Sequence, residues 1–252
     1  MKKIKTLWLA AAVILLIGLV VSVCAHFDAH SKDTISNNDG FLGATLNLSG
    51  AMWTLDFDQE NHIFNWNQLN ENYTVSSGVG GSGSYNNGNL TFSIGSPAYS
   101  LMSPINNLFQ FNKEEGCYTF YQTNLAFYKD LKISNNRVRF AALSLLDASD
   151  YGFSRQYVSE TEQDNVLYVY VNKDVTIKAN GLTLEKWGRT VITEDLDIYL
   201  RAGWNALFYH SEWNSSDLIR SFSLGDPSHL KWILNKDDIT EMQEEENAKQ
   251  RL

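Results

Sequence analysis

The sequence predicts an all-β fold, an antiparallel β-sandwich of the jelly-roll or Ig-like kind, and three observations carry that expectation. Apolar side chains alternate with polar ones in several short runs, turn residues separate those runs, and up to residue 235 no segment after the first apolar stretch holds a 3.6-residue period. In "MWTLDFDQ", Trp53, Leu55 and Phe57 alternate with Thr54, Asp56 and Asp58. "NLTFSIG" repeats the pattern with Leu90, Phe92 and Ile94, and "DLDIYL" repeats it with Leu196, Ile198 and Leu200. A period of two places one face of a strand in a core and the other in water. "NVLYVYVN" (165–172) is apolar or aromatic at nearly every position, which predicts a central strand covered on both faces. Turn signals fall at 37–40, 86–88, 134–136, 180–181 and 202–205, where Asn-Gly and Asp-Gly supply the backbone angles of tight hairpins.

Four regions follow from composition. Residues 1–25 read as a signal peptide or lipoprotein signal, 26–40 as a polar spacer, 41–235 as the sandwich domain and 236–252 as a charged tail. Lys2, Lys3 and Lys5 precede an uncharged run from Leu7 to Val23. As a helix that run spans roughly 26 Å, somewhat less than the ~30 Å hydrocarbon core of a bilayer. The lysines stay on the cytoplasmic side, so the remainder of the chain is expected outside.

Three processing routes are open. Val21 and Ser22 before Cys24 suit a bacterial lipobox, which would make Cys24 the lipidation site and the N-terminal lipid the link to the membrane; Val23 is bulkier than the residue usual there. Val23 and Ala25 also suit ordinary signal cleavage before His26. The third route leaves the segment uncut as an anchor. Cys117 is the only other cysteine, and its aromatic, strand-like surroundings predict a buried inert thiol.

Charge narrows the classes of partner. Beyond the lysines of the first segment the chain carries 17 basic against 29 acidic residues, a net charge near −12. A nucleic-acid binder needs a basic footprint to displace phosphate counterions, so nucleic acid is not an expected partner. Docking on anionic lipid through the protein surface is disfavoured for the same reason.

Motifs that signal chemistry lack their context. "GVGGSG" (78–83) fits G-x-G-x-x-G, but a polar run and then a strand follow it where a dinucleotide site needs a helix. It reads as a flexible loop, and no cofactor is expected. Asp56, Asp58 and Glu60 share a strand face without the glycine and distal glutamate of a calcium loop; they read as a solvated face, as do Asp195 and Asp197. "GGSGS" misses the last glycine of a nucleophile elbow. His26, His30, His62, His210 and His229 form no helical metal pair, so neither catalytic nor metal-ligating residues are assigned. Four N-x-[ST] sequons, at Asn47, Asn72, Asn89 and Asn214, are near what chance gives in a polar β-rich chain.

Aromatic residues are the enriched chemistry: seven Trp, twelve Tyr and thirteen Phe. Rings on a sheet face can stack on sugars, and Tyr168 with Tyr170, or Trp66 with Tyr73, are the candidate platforms. The same rings serve cores and cross-strand pairs, so packing is the first expectation.

"GSGSYNNGNLTFSIGSP" (81–97), with "NVLYVYVNKDVTI" and "DLDIYLRAGWNALFY" further on, resembles uncharacterised bacterial cell-envelope lipoproteins of β-rich fold. Gly88, Leu90, Phe92, Ile94, Gly95 and Pro97 carry one motif, and Leu200, Gly203, Trp204 and Asn205 the other. The resemblance covers about half of the exported chain and implies a lipid-anchored β-rich domain with no known activity. Trp204 is expected to fold over the core edge, with a ligand role as the lesser alternative. The expected function is an exported binding or scaffolding sandwich, with a glycan or an envelope protein as partner. A secreted glycan-active hydrolase and a structural subunit of an envelope assembly are the alternatives.

Overall fold

The computed structural model describes residues 40–235, apart from 59–62, 121–122, 149–150, 160 and 187. The signal segment, Cys24, the polar spacer before Gly40, the acids at 56, 58 and 60, His62 and the tail therefore lie outside the described residues or side chains. Among the described residues no helix is long and apolar enough to cross a membrane.

The expected all-β class is what the chain forms. Its first part runs β1 (Phe41–Gly43), β2 (Leu46–Gly50), β3 (Met52–Asp58), β4 (Ile63–Gln68), β5 (Tyr73–Ser76), β6 (Ser82–Asn86) and β7 (Asn89–Ile94). Two 3-10 turns then flank β8 (Ser103–Pro104), and β9 (Phe109–Asn112), β10 (Cys117–Phe120) and β11 (Thr123–Ile133) follow. The middle is β12 (Arg139–Leu143), β13 (Leu146–Ala148), β14 (Tyr151–Val158), β15 (Glu162–Val171) and β16 (Val175–Gly181). The last part is β17 (Thr183–Lys186), β18 (Arg189–Thr193), β19 (Leu196–Leu200), β20 (Gly203–Trp213), β21 (Asp217–Leu224) and β22 (Lys231–Asn235).

These strands make a large 17-stranded sheet and a small one ordered β19-β16-β11-β10-β9. Pairing is antiparallel except at β18–β21 and β22–β3. β15 sits at the centre, paired with β20 over ten residues and with β12 and β14 on its other edge. Its two faces serve two cores. Val166 and Tyr168 join Leu48, Leu90, Phe92, Phe153, Trp204 and Trp232 in one. Leu167, Val169 and Val171 join Phe120, Tyr128, Ile177, Ile198 and Leu207 in the other, which fills the space between the two sheets. Burial on both sides is why Val166–Val171 of β15 reads as an unbroken apolar run.

Two of the three alternating runs behave as their period dictates, whereas in β3 Trp53, Thr54 and Leu55 are all half-buried and Met52, on the opposite phase, is the enclosed residue. β7 buries Leu90, Phe92 and Ile94 and exposes the residues between them; β19 does the same with Leu196, Ile198 and Leu200. Each such side chain contributes roughly 1.5–3 kcal/mol on burial. Asn87 (φ 50) and Gly88 (φ 82) close the β6–β7 hairpin at the expected turn. Cys117 is fully buried, and burial pushes its thiol above its ordinary range.

Two expectations change. The run 78–83 is not a loop throughout: it turns at 78–80 and then enters β6, where Gly83 pairs with Val75 and Phe92. Asn180 and Gly181 are not a turn but the end of β16, opposite Lys129 and Tyr128. A Cβ on Gly181 would lie 1.9 Å from the Thr193 carbonyl oxygen, so the glycine there permits a close approach of two backbones.

The two motifs behind the family resemblance meet in space. Trp204 is enclosed, and its Nε1–H donates to the Gly95 carbonyl at 3.0 Å, directly after β7. Gly203 has φ +121 and lies so close to Gly43 that a Cβ would sit 2.6 Å from its carbonyl oxygen. The buried Asn205 side chain donates to the carbonyls of Arg201 (2.8 Å) and Gly203 (3.0 Å) and accepts from the Arg201 N–H (3.1 Å). Together these three residues pin the β19–β20 turn and set where β20 begins.

Candidate functional site

At the end of the β15–β20 ladder the buried row of side chains turns polar. Following the alternation out from Tyr168 and Val166, the next two positions on that face are Asp164 and Glu162. On β20 the series Trp204, Ala206 and Phe208 continues to His210 and Glu212. Register places Asp164 opposite His210 and Glu162 opposite Glu212, with Tyr157 of β14 on the other side of Asp164.

Asp164 is the centre of this cluster. Its side chain is 3% exposed, and each carboxylate oxygen faces an imidazole: Oδ1 is 2.6 Å from His210 Nδ1 and Oδ2 is 2.7 Å from His229 Nε2. An ionised carboxylate has no hydrogen to give, so both rings donate N–H to it. The rings are thereby oriented with their other nitrogens, His210 Nε2 and His229 Nδ1, turned away from Asp164. Glu162 approaches His210 Nδ1 at 3.7 Å, and Glu212 approaches His210 Nε2 at 3.9 Å.

Protonation states follow from these contacts. Burial pushes the Asp164 carboxyl up, but the hydrogen bonds from His210 and His229, with their charges, outweigh it and hold the group below its ordinary value. Burial raises the Glu162 carboxyl, and the neighbouring Asp164 charge raises it further. The hydrogen bond to Asp164 raises His210 against the opposing effect of burial, and the Asp164, Glu162 and Glu212 charges add to it.

His229 is brought in by the segment between β21 and β22, which two anchors hold. Asp226 accepts from Arg155 Nε at 2.6 Å and from the Tyr168 hydroxyl at 2.9 Å. Leu230 is buried in the core, and its N–H donates to the Pro227 carbonyl.

Around the carboxylates runs a strip of rings in successive contact. Trp66 stacks on Tyr157 (centroids 6.4 Å apart), and Tyr157 meets the edge of His229 (5.6 Å). Phe208 lies between His229 (6.4 Å) and His210 (6.3 Å). His229 is exposed and the others are half-buried. Lys231 Nζ sits 4.3 Å from the Trp66 ring and 4.5 Å from that of Trp53, extending the strip with a cation.

The aromatic residues singled out in the sequence separate accordingly. Trp66 belongs to the strip, but its stacking partner is Tyr157. Tyr73 packs against Tyr85 and Phe153 at the core edge and donates its hydroxyl to Glu71. Tyr168 (1% exposed) and Trp204 (0%) are enclosed and offer no face to a ligand; Tyr168 instead supports Asp226. Tyr170 is half-buried, with its hydroxyl on Ser96 and its ring on the edge of Trp204. Asp195 accepts from the Gly181 N–H and Asp197 pairs with Lys178, in keeping with a solvated face.

Asp164, His210 and His229 carry no sequence motif. The legible signal is that polar residues occupy the inward positions of two otherwise apolar strands. Register brings Asp164 to His210, 46 residues away, and the segment before β22 brings His229 to Asp164 from 65 residues away.

The cluster offers two kinds of chemistry. The imidazoles, oriented by a buried carboxylate, can exchange protons. The donor atoms of Glu162, Asp164 and His210 lie within 4.8 Å of one another, a spacing that suits a shared cation. The chain matches no family model, no curated protein and no solved structure.

Proposed function

We propose that this protein is a binding domain exported to the cell envelope, held there by a lipid on Cys24, that takes a glycan on the ring strip Trp66–Tyr157–His229–Phe208–His210. The single observation that carries the ligand reading is the strip itself. Its rings, His229 exposed and the others half-buried, run in contact along the surface beside carboxylates and the Lys231 ammonium. Sugar rings stack on such faces while polar neighbours bond their hydroxyls. The export reading rests on the basic start, the apolar run and the cysteine at its end.

Calorimetric titration of the purified full chain with a panel of envelope oligosaccharides tests the ligand reading. Saturable binding that falls at least about tenfold in both Trp66→Ala and Tyr157→Ala is the expected result, since ring–ligand contacts concentrate binding energy. Binding untouched by either substitution, or none across the panel, rejects the strip as a glycan site.

A second reading is supported by one specific observation. Glu162 and Asp164 are neighbouring carboxyls pushed in opposite directions, as a glycosidase acid and its partner are. Against it, both Asp164 oxygens are engaged by imidazoles. Hydrolysis of an aryl glycoside by the wild type, lost in Glu162→Gln, would favour this reading over the first.

A further inference from the structure

We propose that Glu162, Asp164 and His210 form a binding site for a divalent transition ion of the zinc type, with His229 and Glu212 as its outer-sphere partners. Independently of whether the ring strip binds a glycan, the inference rests on donor identity, spacing and support.

The donor set is two carboxylates and an imidazole. Calcium and magnesium favour six or more oxygens, whereas imidazole nitrogen with carboxylate oxygen suits zinc, iron, nickel and their neighbours. A tetrahedral ion about 2.0–2.2 Å from each donor holds them roughly 3.3–3.6 Å apart. His210 Nδ1 is 2.6 Å from Asp164 Oδ1 and 3.7 Å from a Glu162 oxygen, so these two sides bracket that size, and the three donors lie within 4.8 Å of one another. Opening the shorter side by less than about 1 Å and turning the half-exposed Glu162 admits the ion, leaving a fourth position for water or a ligand.

Binding transfers no electrons. A neutral His210 moves its proton from Nδ1 to Nε2, and the freed Nδ1 lone pair takes the ion. The Nε2–H then faces Glu212, 3.9 Å away, on the side remote from the ion. A carboxylate behind a metal-bound imidazole is the usual outer-sphere arrangement. His229 holds the second oxygen of Asp164 and leaves Oδ1 to coordinate. All three donors stand on β15 and β20, the most extensively paired strands of the large sheet, so rigid elements carry them and the adjustment falls on the side chains. Asp164 and Glu162 with Glu212 supply negative charge to attract a dication.

The test uses the full chain, stripped with a chelator and then titrated with Zn²⁺ by calorimetry and with Co²⁺ by visible absorption. One equivalent of Zn²⁺ binding at micromolar or lower concentration is expected, with Co²⁺ giving the d–d bands of a four- or five-coordinate site. Glu162→Gln and His210→Gln are each expected to weaken binding at least about tenfold and to remove the bands, and Glu212→Gln to weaken it by about tenfold. Glu162 is half-exposed, so its variant tests the site without emptying the core. Circular dichroism confirms that each variant is folded. A His26→Ala/His30→Ala variant, altering the N-terminal histidines, is expected to bind as the wild type does. The proposal is overturned by the absence of saturable Zn²⁺ binding below about 100 μM, a concentration far above that at which structural and catalytic sites fill. Binding that survives in folded Glu162→Gln and His210→Gln, or that disappears with His26 and His30, overturns it equally.

Discussion

Trp204 shows how one residue links two distant segments. Its ring is enclosed by the first core, and its indole N–H reaches Gly95, 109 positions away. Trp204→Ala is expected to destabilise the domain by about 3–5 kcal/mol, through lost burial and the cavity left behind. Thermal or denaturant unfolding measures this, and a change under about 1 kcal/mol would mean the ring contributes little to packing. Asp164 with His210 makes a different residue-scale prediction, for the metal-free protein. His210 is held above its unfolded value, so its contribution to stability is full below about pH 6.5 and is lost as pH rises through the folded value. Glu162, also raised, acts in the same direction from about pH 4.3 upward. Asp164 is lowered, so its contribution is present above about pH 3.9 and lost only on further acidification. Melting temperature is therefore expected to fall between pH 6 and 8, and His210→Gln to flatten that slope. An unchanged slope in the variant would assign the titration to other groups.

At the scale of the element, the β19–β20 turn shows what short motifs encode. Asn205 bonds the Arg201 N–H and the carbonyls of Arg201, Gly203 and Val169 with one buried side chain, and Asp174 accepts from the Ala202 N–H (2.8 Å) and the Tyr199 hydroxyl (2.7 Å) at the same corner. Asn205→Ala removes the side chain that bonds the buried Gly203 carbonyl and the part-buried Arg201 backbone and is expected to cost about 1–3 kcal/mol. Unfolding of the variant by denaturant measures it, and Asn205→Asp, which keeps the acceptor but loses the donors, is expected to recover only part. Strands β7 and β19 were legible because each has one wet face, and period two then marks the buried side. The run Val166–Val171 of β15 was legible as central for the opposite reason, since both of its faces pack against a core. Asn180-Gly181 misled because a turn signal and a close backbone approach both call for glycine, and only the packing of Thr193 over that position separates them.

For the whole molecule, two cores share β15 and β20 as a common wall, and the described strands belong to one compact unit. A fragment of residues 41–235 is expected to fold alone, with a β-type circular dichroism spectrum and a cooperative melt. A disordered or strongly helical spectrum would contradict the fold. The proposed address is tested separately by intact mass. With a lipid on Cys24 the mature chain starts there, and Cys24→Ser leaves an unprocessed precursor; a wild-type chain starting at His26 would end the lipoprotein reading.

By itself the sequence determined the fold class, the two strands β7 and β19 with one wet face, the central strand and the acidic balance. Each of these is a local or summed property, fixed by period two or by counting charges. The candidate site was decided only by tertiary structure. Asp164, His210 and His229 come from β15, β20 and the segment before β22, and no spacing along the chain announces that they meet. The register of a ten-residue ladder and the anchoring of Asp226 by Arg155 and Tyr168 bring them together. A slip of one residue in that ladder would move Asp164 and His210 out of register and turn the side chains of the shifted strand to the opposite face, which is why the site belongs to the fold and not to a motif.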